Sequence, residues 1–414
     1  MAKIKEKEDS RVAFLLNELE GKKRVLNGNV SFDGWALTQH RVYISRLLDF
    51  KSHIPEVDRR KLVISAINSA ASSGILNNKS FTDELNRKER KYNEITDSKF
   101  RLITQISIDP GLVVKRQRSL ECWISFNIDQ SSKAYKEYLK VLAHVKNLQV
   151  PDMPIGYTTV SVSCTAKTTA SAFQRCDRAL NFWRGCHNLG INRVRKLRFS
   201  FDRRSPVNTI LLHPVSTIHH ANGQLVDTSW YFDSSYYASS KVLSEPDNIN
   251  IGKNYFDVIR KIMTQHTYSN VVIDSIARYS RLLDMTDWEA SYIQLWSICE
   301  ALTLTTSSDN SQTIKRMKSI YKNKEYLDVT LQVLKDYRNS AVHFGEESQD
   351  IEVLLFNLKT VVEDLICFHA VNRFKFASLR QAVDCLELGS DVDHLEERVE
   401  LFTKAISKSR WLET

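Results

Sequence analysis

From about Tyr255 to the end of the chain, apolar residues recur at three- and four-residue spacing, segment after segment, with short polar breaks. That period commits each segment to an amphipathic helix, and short connections make neighbouring helices antiparallel. Helices are predicted over 256–263, 271–283, 287–304, 313–321, 325–343 and 351–371, followed by two shorter ones. This end of the chain should therefore form an all-α bundle.

Upstream the period changes to two. Phe100, Leu102, Thr104, Ile106 and Ile108 alternate along one segment, and Asp109-Pro110-Gly111 follows as a turn signal. Further strands are predicted at 120–128, 158–165, 196–201, 209–213 and 228–232. An amphipathic helix is predicted over 170–189, closed by Gly190. The first 95 residues read as helical, with stripes at Leu15, Leu16 and Leu19, at 35–50 and at 57–76. The charged stretch 81–95 fits either a solvated helix or a connector. The expected fold class is α+β: a helical region 1–95, a basic α+β region 96–245, a helical bundle 250–375 and C-terminal helices 376–414.

At 414 residues the chain exceeds what one core serves. Its 12 glycines and 7 prolines exclude collagen-like and linker-dominated chains. No run of about 18 apolar residues occurs, so no membrane span is expected. The charged start, MAKIKEKEDS, has no apolar core or cleavage site of a secretory signal. Seven cysteines without a Cys-x-x-Cys pair fit a reduced, cytoplasmic protein.

Motifs for common cofactors fail on inspection. Gly185 and Gly190 have phosphate-loop spacing, but Ile191-Asn192 stand where Lys-Ser/Thr is required. Cys176, Cys186 and His187 lack the paired set that zinc needs and read as core. His219-His220 precede the turn Ala221-Asn222-Gly223 and read as surface loop, a ligand role being the alternative. No cofactor and no metal centre is expected.

Charge is unevenly placed. Residues 1–240 carry 37 Lys and Arg against 23 Asp and Glu, a net of +14, whereas residues 241–414 are at −5. A basic front half suits a polyanion such as RNA; solvated surface charge is the alternative. The densest clusters are Lys115, Arg116 and Arg118, after the 109–111 turn, and Arg193, Arg195, Lys196 and Arg198. Alternation would point Leu197, Phe199 and Phe201 inward and Lys196 and Arg198 outward.

One constellation stands apart. The segment Asp336-Tyr337-Arg338-Asn339-Ser340-Ala341-Val342-His343-Phe344-Gly345 closes a helix whose stripe is Leu327, Leu331 and Leu334. Asn339 and His343, four apart, share a face. Arg338 lies about 140° round from His343, within reach of a long side chain. Gly345 is placed to end the helix. A guanidinium, an amide and an imidazole can bind a phosphodiester and move a proton. Arg and His in a last helical turn also serve its free carbonyls, which is the alternative.

The string Arg338-Asn339-x-x-x-His343 resembles the signature of HEPN domains, and DYRNSAVHFG is similar to the ApeA-like HEPN subgroup. Trp296-Ser297-Ile298-Cys299-Glu300-Ala301-Leu302 resembles that subgroup's Glu-Ala-Leu helix, and 351–369 its closing helix. The resemblance covers about 270–375. It implies a metal-independent endoribonuclease, in which the RNA 2′-hydroxyl attacks the adjacent phosphorus and leaves a 2′,3′-cyclic phosphate. Arg338 would neutralise the phosphate, His343 transfer the proton or position the 2′-hydroxyl, Asn339 orient the phosphate, and Glu300 hold Arg338. Such clefts form between two HEPN domains, and this chain has one motif. The resemblance thus implies a homodimer, with 287–304 and 325–343 as the expected contact. Many relatives are anti-phage or abortive-infection effectors, which implies a phage-derived trigger. The alternative function is a non-catalytic HEPN-fold nucleic-acid-binding or sensor protein.

Overall fold

The computed structural model describes residues 2–412 except 27–28, 52, 110, 112, 114, 127, 148–153, 155, 195–204, 238–241, 307–308, 323–324, 345–347 and 389–391. It mixes helix and sheet. The chain divides into two compact units. One comprises Met1–Leu102, Ser163–Cys176 and Ile218–Ser229; the other comprises Ile103–Val162, Asp177–Thr217 and Trp230–Thr414.

The first unit begins with β1 (Lys3–Ile4), α1 (Asp9–Gly21), the hairpin β2 (Lys23–Leu26) and β3 (Asn29–Phe32), α2 (Ala36–Arg46) and β4 (Leu48–Asp49), which pairs with β1. Then come α3 (Glu56–Ser73) and α4 (Asn78–Glu94). Val12, Leu16, Leu19, Ile44, Val63, Ile67, Phe81 and Leu85 close its core. The charged stretch 81–95 is helix. Phe81, Leu85, Glu89 and Tyr92 fall on one face and are buried, and the charges cover the other. Its start is fixed reciprocally: the Ser80 N–H donates to Asn77 Oδ1 at 3.0 Å, and the Asn77 N–H to Ser80 Oγ at 3.0 Å. Asp58, buried on α3, accepts from the Tyr92 hydroxyl at 2.8 Å, from Thr168 Oγ1 at 2.6 Å and from Ser171. Burial, and then the Asp58 carboxylate, push the Tyr92 phenol up to about 12.

A six-stranded sheet follows. Its strands are β5 (Ser98–Ile106), β6 (Arg116–Ser119), β7 (Cys122–Phe126), β8 (Thr158–Ala166), β9 (Val215–His220) and β10 (Leu225–Phe232), in the order β10-β9-β5-β8-β7-β6. The helices α5 (Lys133–Asn147) and α6 (Thr169–Val194) lie between them in the chain.

The structure corrects four expectations here. First, β6 has no apolar face to announce it; it forms by antiparallel pairing with β7, Arg116 opposite Ser125 and Arg118 opposite Trp123. Second, 209–213 is irregular, with one isolated bridge between Ile106 and Leu212. Beside two backbone bonds to the end of β5 and the residue after it, from the Ser107 N–H to the Leu211 carbonyl at 3.1 Å and from the His213 N–H to the Gln105 carbonyl at 2.8 Å, its Ile210 is taken by α6 side chains: the Ile210 N–H donates to Asn188 Oδ1, and the Ile210 carbonyl accepts from Asn188 and Arg184, each at 3.0 Å. Third, α6 runs through Gly190 to Val194. Glycine there permits close approach: an added Cβ would lie 2.8 Å from the Tyr255 ring, and one on Gly185 2.5 Å from the Ile276 carbonyl oxygen. Fourth, His219 and His220 end β9 rather than form a loop, and His219 is buried beside the Gly223 carbonyl. The expected strand 196–201 lies outside the described residues.

Among the described residues from Pro246 onward the regular elements are all helices. They are α7 (Pro246–Met263), α8 (Ser269–Leu282), α9 (Trp288–Thr303), α10 (Asn310–Lys318), α11 (Glu325–Phe344), α12 (Ile351–Val371), α13 (Leu379–Leu388) and α14 (Val392–Leu412). The last is 21 residues long, not short as expected. The central element is α9, which packs on α8, α10, α11 and α12. It can do so because Trp288, Tyr292, Leu295, Trp296, Cys299 and Leu302 bury it on several sides. Asp287 caps it by accepting from the Ala290 N–H at 2.8 Å.

A polar row on α6 ties this region together. Arg184 is fully buried and donates to Asp284 at 2.8 Å and to Asn181 at 2.6 Å. Asn192 donates to Asn208 at 3.1 Å and to the Tyr279 hydroxyl at 3.0 Å, and that hydroxyl donates to Glu363. Lys359 pairs with Glu363 at 2.9 Å, both buried. The network is not fully satisfied: Arg184 Nε and Asn192 Oδ1 are buried with no partner among the described residues.

Candidate active site

The second half of α11 carries the motif. Leu331 and Leu334 are fully buried and fix the helix against its neighbours. Tyr292 of α9 locks the register: its hydroxyl donates to the Leu334 carbonyl at 2.5 Å, and its ring meets that of Tyr337 edge-on with centroids 5.0 Å apart. One residue later, Arg338 turns toward α9. Its Nη2 lies 3.5 Å from Glu300 Oε1, and its Nη1 donates to Asn339 Oδ1 at 3.3 Å. The Arg338 side chain keeps 9% of its surface exposed and the Glu300 side chain 16%.

Asn310, the first residue of α10, completes the group. Its Nδ2 donates to Asn339 Oδ1 at 2.9 Å, and its own Oδ1 is buried with no partner among the described residues. Three helices therefore bring Arg338, Asn339, Glu300 and Asn310 together. Burial raises the Glu300 carboxyl above its ordinary range, and the Arg338 guanidinium and the Trp296 indole oppose the rise.

His343 lies one turn beyond Asn339 on α11 and is exposed. Gly345, expected to end the helix, is outside the described residues. The arrangement is thus an oriented cation and two amides under partial cover, with an accessible imidazole one turn away. Chemically it can bind an anion through the guanidinium and exchange a proton at the imidazole.

The basic residues fare differently from one another. Lys115, Arg116 and Arg118 are all exposed. Arg116 and Arg118, two apart on β6, share a face with Trp123 of β7, which lies opposite Arg118. The Arg116 guanidinium sits 4.6 Å from the Trp123 ring centroid, and Trp123 is 43% exposed. The result is an edge hairpin with two cations around an open indole. Nothing in the sequence marks Arg116 and Arg118 as lying on a strand or as flanking Trp123. Arg193 is engaged, pairing with Asp364 at 2.9 Å and donating to Cys367 at 3.5 Å. Arg195, Lys196 and Arg198 lie outside the described residues.

Cys176 and Cys186 are buried in α6, and His187 stacks on Trp183 with ring centroids 4.0 Å apart. Burial lowers that imidazole to about 4. Asn310 had no signal in the sequence beyond following Asp309, which caps α10 by accepting from the Gln312 N–H at 3.2 Å.

Among the described residues no helix is long and apolar enough to cross a membrane. No family model, curated protein or solved structure matches the chain.

Proposed function

We propose that the chain is a metal-independent endoribonuclease of HEPN type, with Arg338 and His343 as its working pair. The observation that carries this reading is the anchoring of Arg338. The guanidinium is oriented by Glu300 of α9 and by Asn339, which accepts from Asn310 of α10, while His343 is exposed one turn away on α11. A fixed cation suits the developing charge of a phosphorane, and an accessible imidazole suits transfer of the 2′-hydroxyl proton. The unpartnered Asn310 Oδ1 adds an acceptor for a hydroxyl donor.

In this reading a second copy completes the cleft. Tyr326, Val329 and Val333 support it: they follow one another at three- and four-residue spacing on α11 and are at least half exposed. The hairpin of Arg116, Arg118 and Trp123 would hold single-stranded RNA by phosphate contact and base stacking.

The test is product-end analysis on single-stranded RNA in excess EDTA. The expected result is cleavage to 2′,3′-cyclic phosphate ends, DNA left intact, and loss of about 10²-fold in rate for His343→Ala. Products with 5′-phosphates, or activity abolished by EDTA, would overturn the mechanism. The second reading, a non-catalytic HEPN-fold RNA-binding or sensor protein, is favoured by the cover over Arg338. It predicts RNA binding without cleavage in the same assay.

A further inference from the structure

The helix α14 carries a row of apolar side chains that stands exposed. Over Val392–Trp411 not one described side chain is buried. Val392, Val399, Phe402 and Ile406 are between 54% and 64% exposed, and Leu395 is half-buried. Their spacing is three, four, three, four: Val392, Leu395, Val399, Phe402, Ile406. That is the 3.5-residue repeat of a coiled-coil seam, narrower than the face a helix presents to a globular core. A lone helix of 21 residues gains little in water without covering such a seam.

The charges say what covers it. The first half of α14 holds Asp393, Glu396, Glu397 and Glu400 against Arg398, and the second half holds Lys404, Lys408 and Arg410 with no acid. A parallel pair of these helices would set acidic half against acidic half and basic against basic. An antiparallel pair sets each acidic half along the partner's basic half, twice over. The sequence is thus complementary to itself when reversed, and a second copy of this chain is the occupant that satisfies seam and charge together.

We propose that α14 is an association helix, pairing antiparallel with the α14 of a second copy through Val392, Leu395, Val399, Phe402 and Ile406. In that pairing Leu395 of one copy packs beside Ile406 of the other, and Val399 beside Phe402. The inference is independent of the reading of the Arg338 site and of any contact made by α11.

The experiment is sedimentation equilibrium on the full chain at micromolar concentration, with Val399→Asp/Phe402→Asp as the variant. Both residues are exposed, so the fold should survive, and circular dichroism checks that it does. The molar mass should halve in the variant, whether the starting species is a dimer or a larger assembly that also uses α11. Reversing the acidic half, Glu396→Lys/Glu397→Lys/Glu400→Lys, should also lower the mass. Adding Lys404→Glu/Lys408→Glu/Arg410→Glu should restore it. Orientation is read by disulfide trapping with the exposed Cys385 replaced by serine. Protein carrying Leu395→Cys should cross-link to protein carrying Ile406→Cys, and neither to itself. A monomeric wild type, a mass unchanged by Val399→Asp/Phe402→Asp, or same-position cross-links would each overturn the proposal. An unchanged mass in a dimeric protein would do so while leaving an α11 dimer intact.

Discussion

Replacing Arg338 by alanine separates a residue that only works from one that also holds the fold. The guanidinium and the Glu300 carboxylate are both largely covered, at 9% and 16% exposure, and their contact is 3.5 Å. Breaking a fully buried pair from one side costs about 3–5 kcal/mol, because a charge is left without its partner. Here the contact is long and Glu300 keeps some access to water, so the expected loss is about 2 kcal/mol. Glu300→Gln leaves the guanidinium with Asn339 and should cost about 1 kcal/mol. In Arg338→Ala/Glu300→Gln neither charge is stranded, and the loss should fall short of the two single losses together by about 1 kcal/mol. His343 is exposed, so His343→Ala should stay within about 0.5 kcal/mol of wild type. The assay is urea unfolding followed by circular dichroism on all variants, beside the RNA cleavage assay. An Arg338→Ala protein as stable as wild type, with additive double-variant losses, would refute the argument. Cleavage lost in His343→Ala at unchanged stability would then report chemistry alone.

Other consequences are as direct. Trp123→Ala should weaken single-stranded RNA binding by about 10-fold, the scale of one stacked base, while Arg116→Glu should also flatten its salt dependence; filter binding at several salt concentrations checks both. His187, His213 and His369 are buried and held near 4 by desolvation, below the ordinary 6.5. Between those values the unfolded chain binds more protons than the folded one. Stability is therefore lost as pH falls from about 6.5 toward 4, on the order of 3 kcal/mol for each histidine, with no further loss from them below that. Urea midpoints that stay level from pH 7 to pH 4.5 would contradict this. Gly185→Ala places a Cβ 2.5 Å from a backbone oxygen and should destabilise by about 2–3 kcal/mol, whereas Gly21→Ala meets nothing within 4 Å and should be neutral or gain up to about 1 kcal/mol; thermal melts compare the two.

What the sequence made legible was whatever depends on neighbours along the chain. The apolar period alone located α12 at 351–371 and β8 to within one residue. It also placed α11 and α9, and with them the spacing of Glu300, Arg338 and His343. What stayed hidden depends on neighbours in space. The strand β6, Arg-Gln-Arg-Ser, has no apolar alternation and exists because β7 pairs with it. Ile210 and Leu212 alternate as a strand would, but Asn188, some twenty residues earlier, captures the backbone there. Gly190 reads as a helix stop, yet a ring on another helix requires it. Asn310 belongs to the site only because α10 starts beside Asn339.

The asymmetry within the motif has a mechanistic consequence on the reading proposed above. A guanidinium that is nine-tenths covered cannot serve a phosphodiester unless its present partner yields. Glu300 is suited to yield. Its contact with Arg338 is longer than a strong charge-assisted hydrogen bond, and burial makes its ionised form costly. A phosphate arriving beside Arg338 would repel the Glu300 carboxylate and compete for the same donors. Glu300 would then take up a proton or turn away, and Asn339, which accepts from both Arg338 and Asn310, would keep the guanidinium in place. Glu300 is in this sense a positioning residue that holds Arg338 ready without holding it fast. Glu300→Gln separates that role from a merely structural one. Removal of the competing charge should strengthen RNA binding to the His343→Ala protein, whereas loss of a structural support would weaken it. Weaker binding in Glu300→Gln/His343→Ala than in His343→Ala would therefore show that Glu300 only supports the fold.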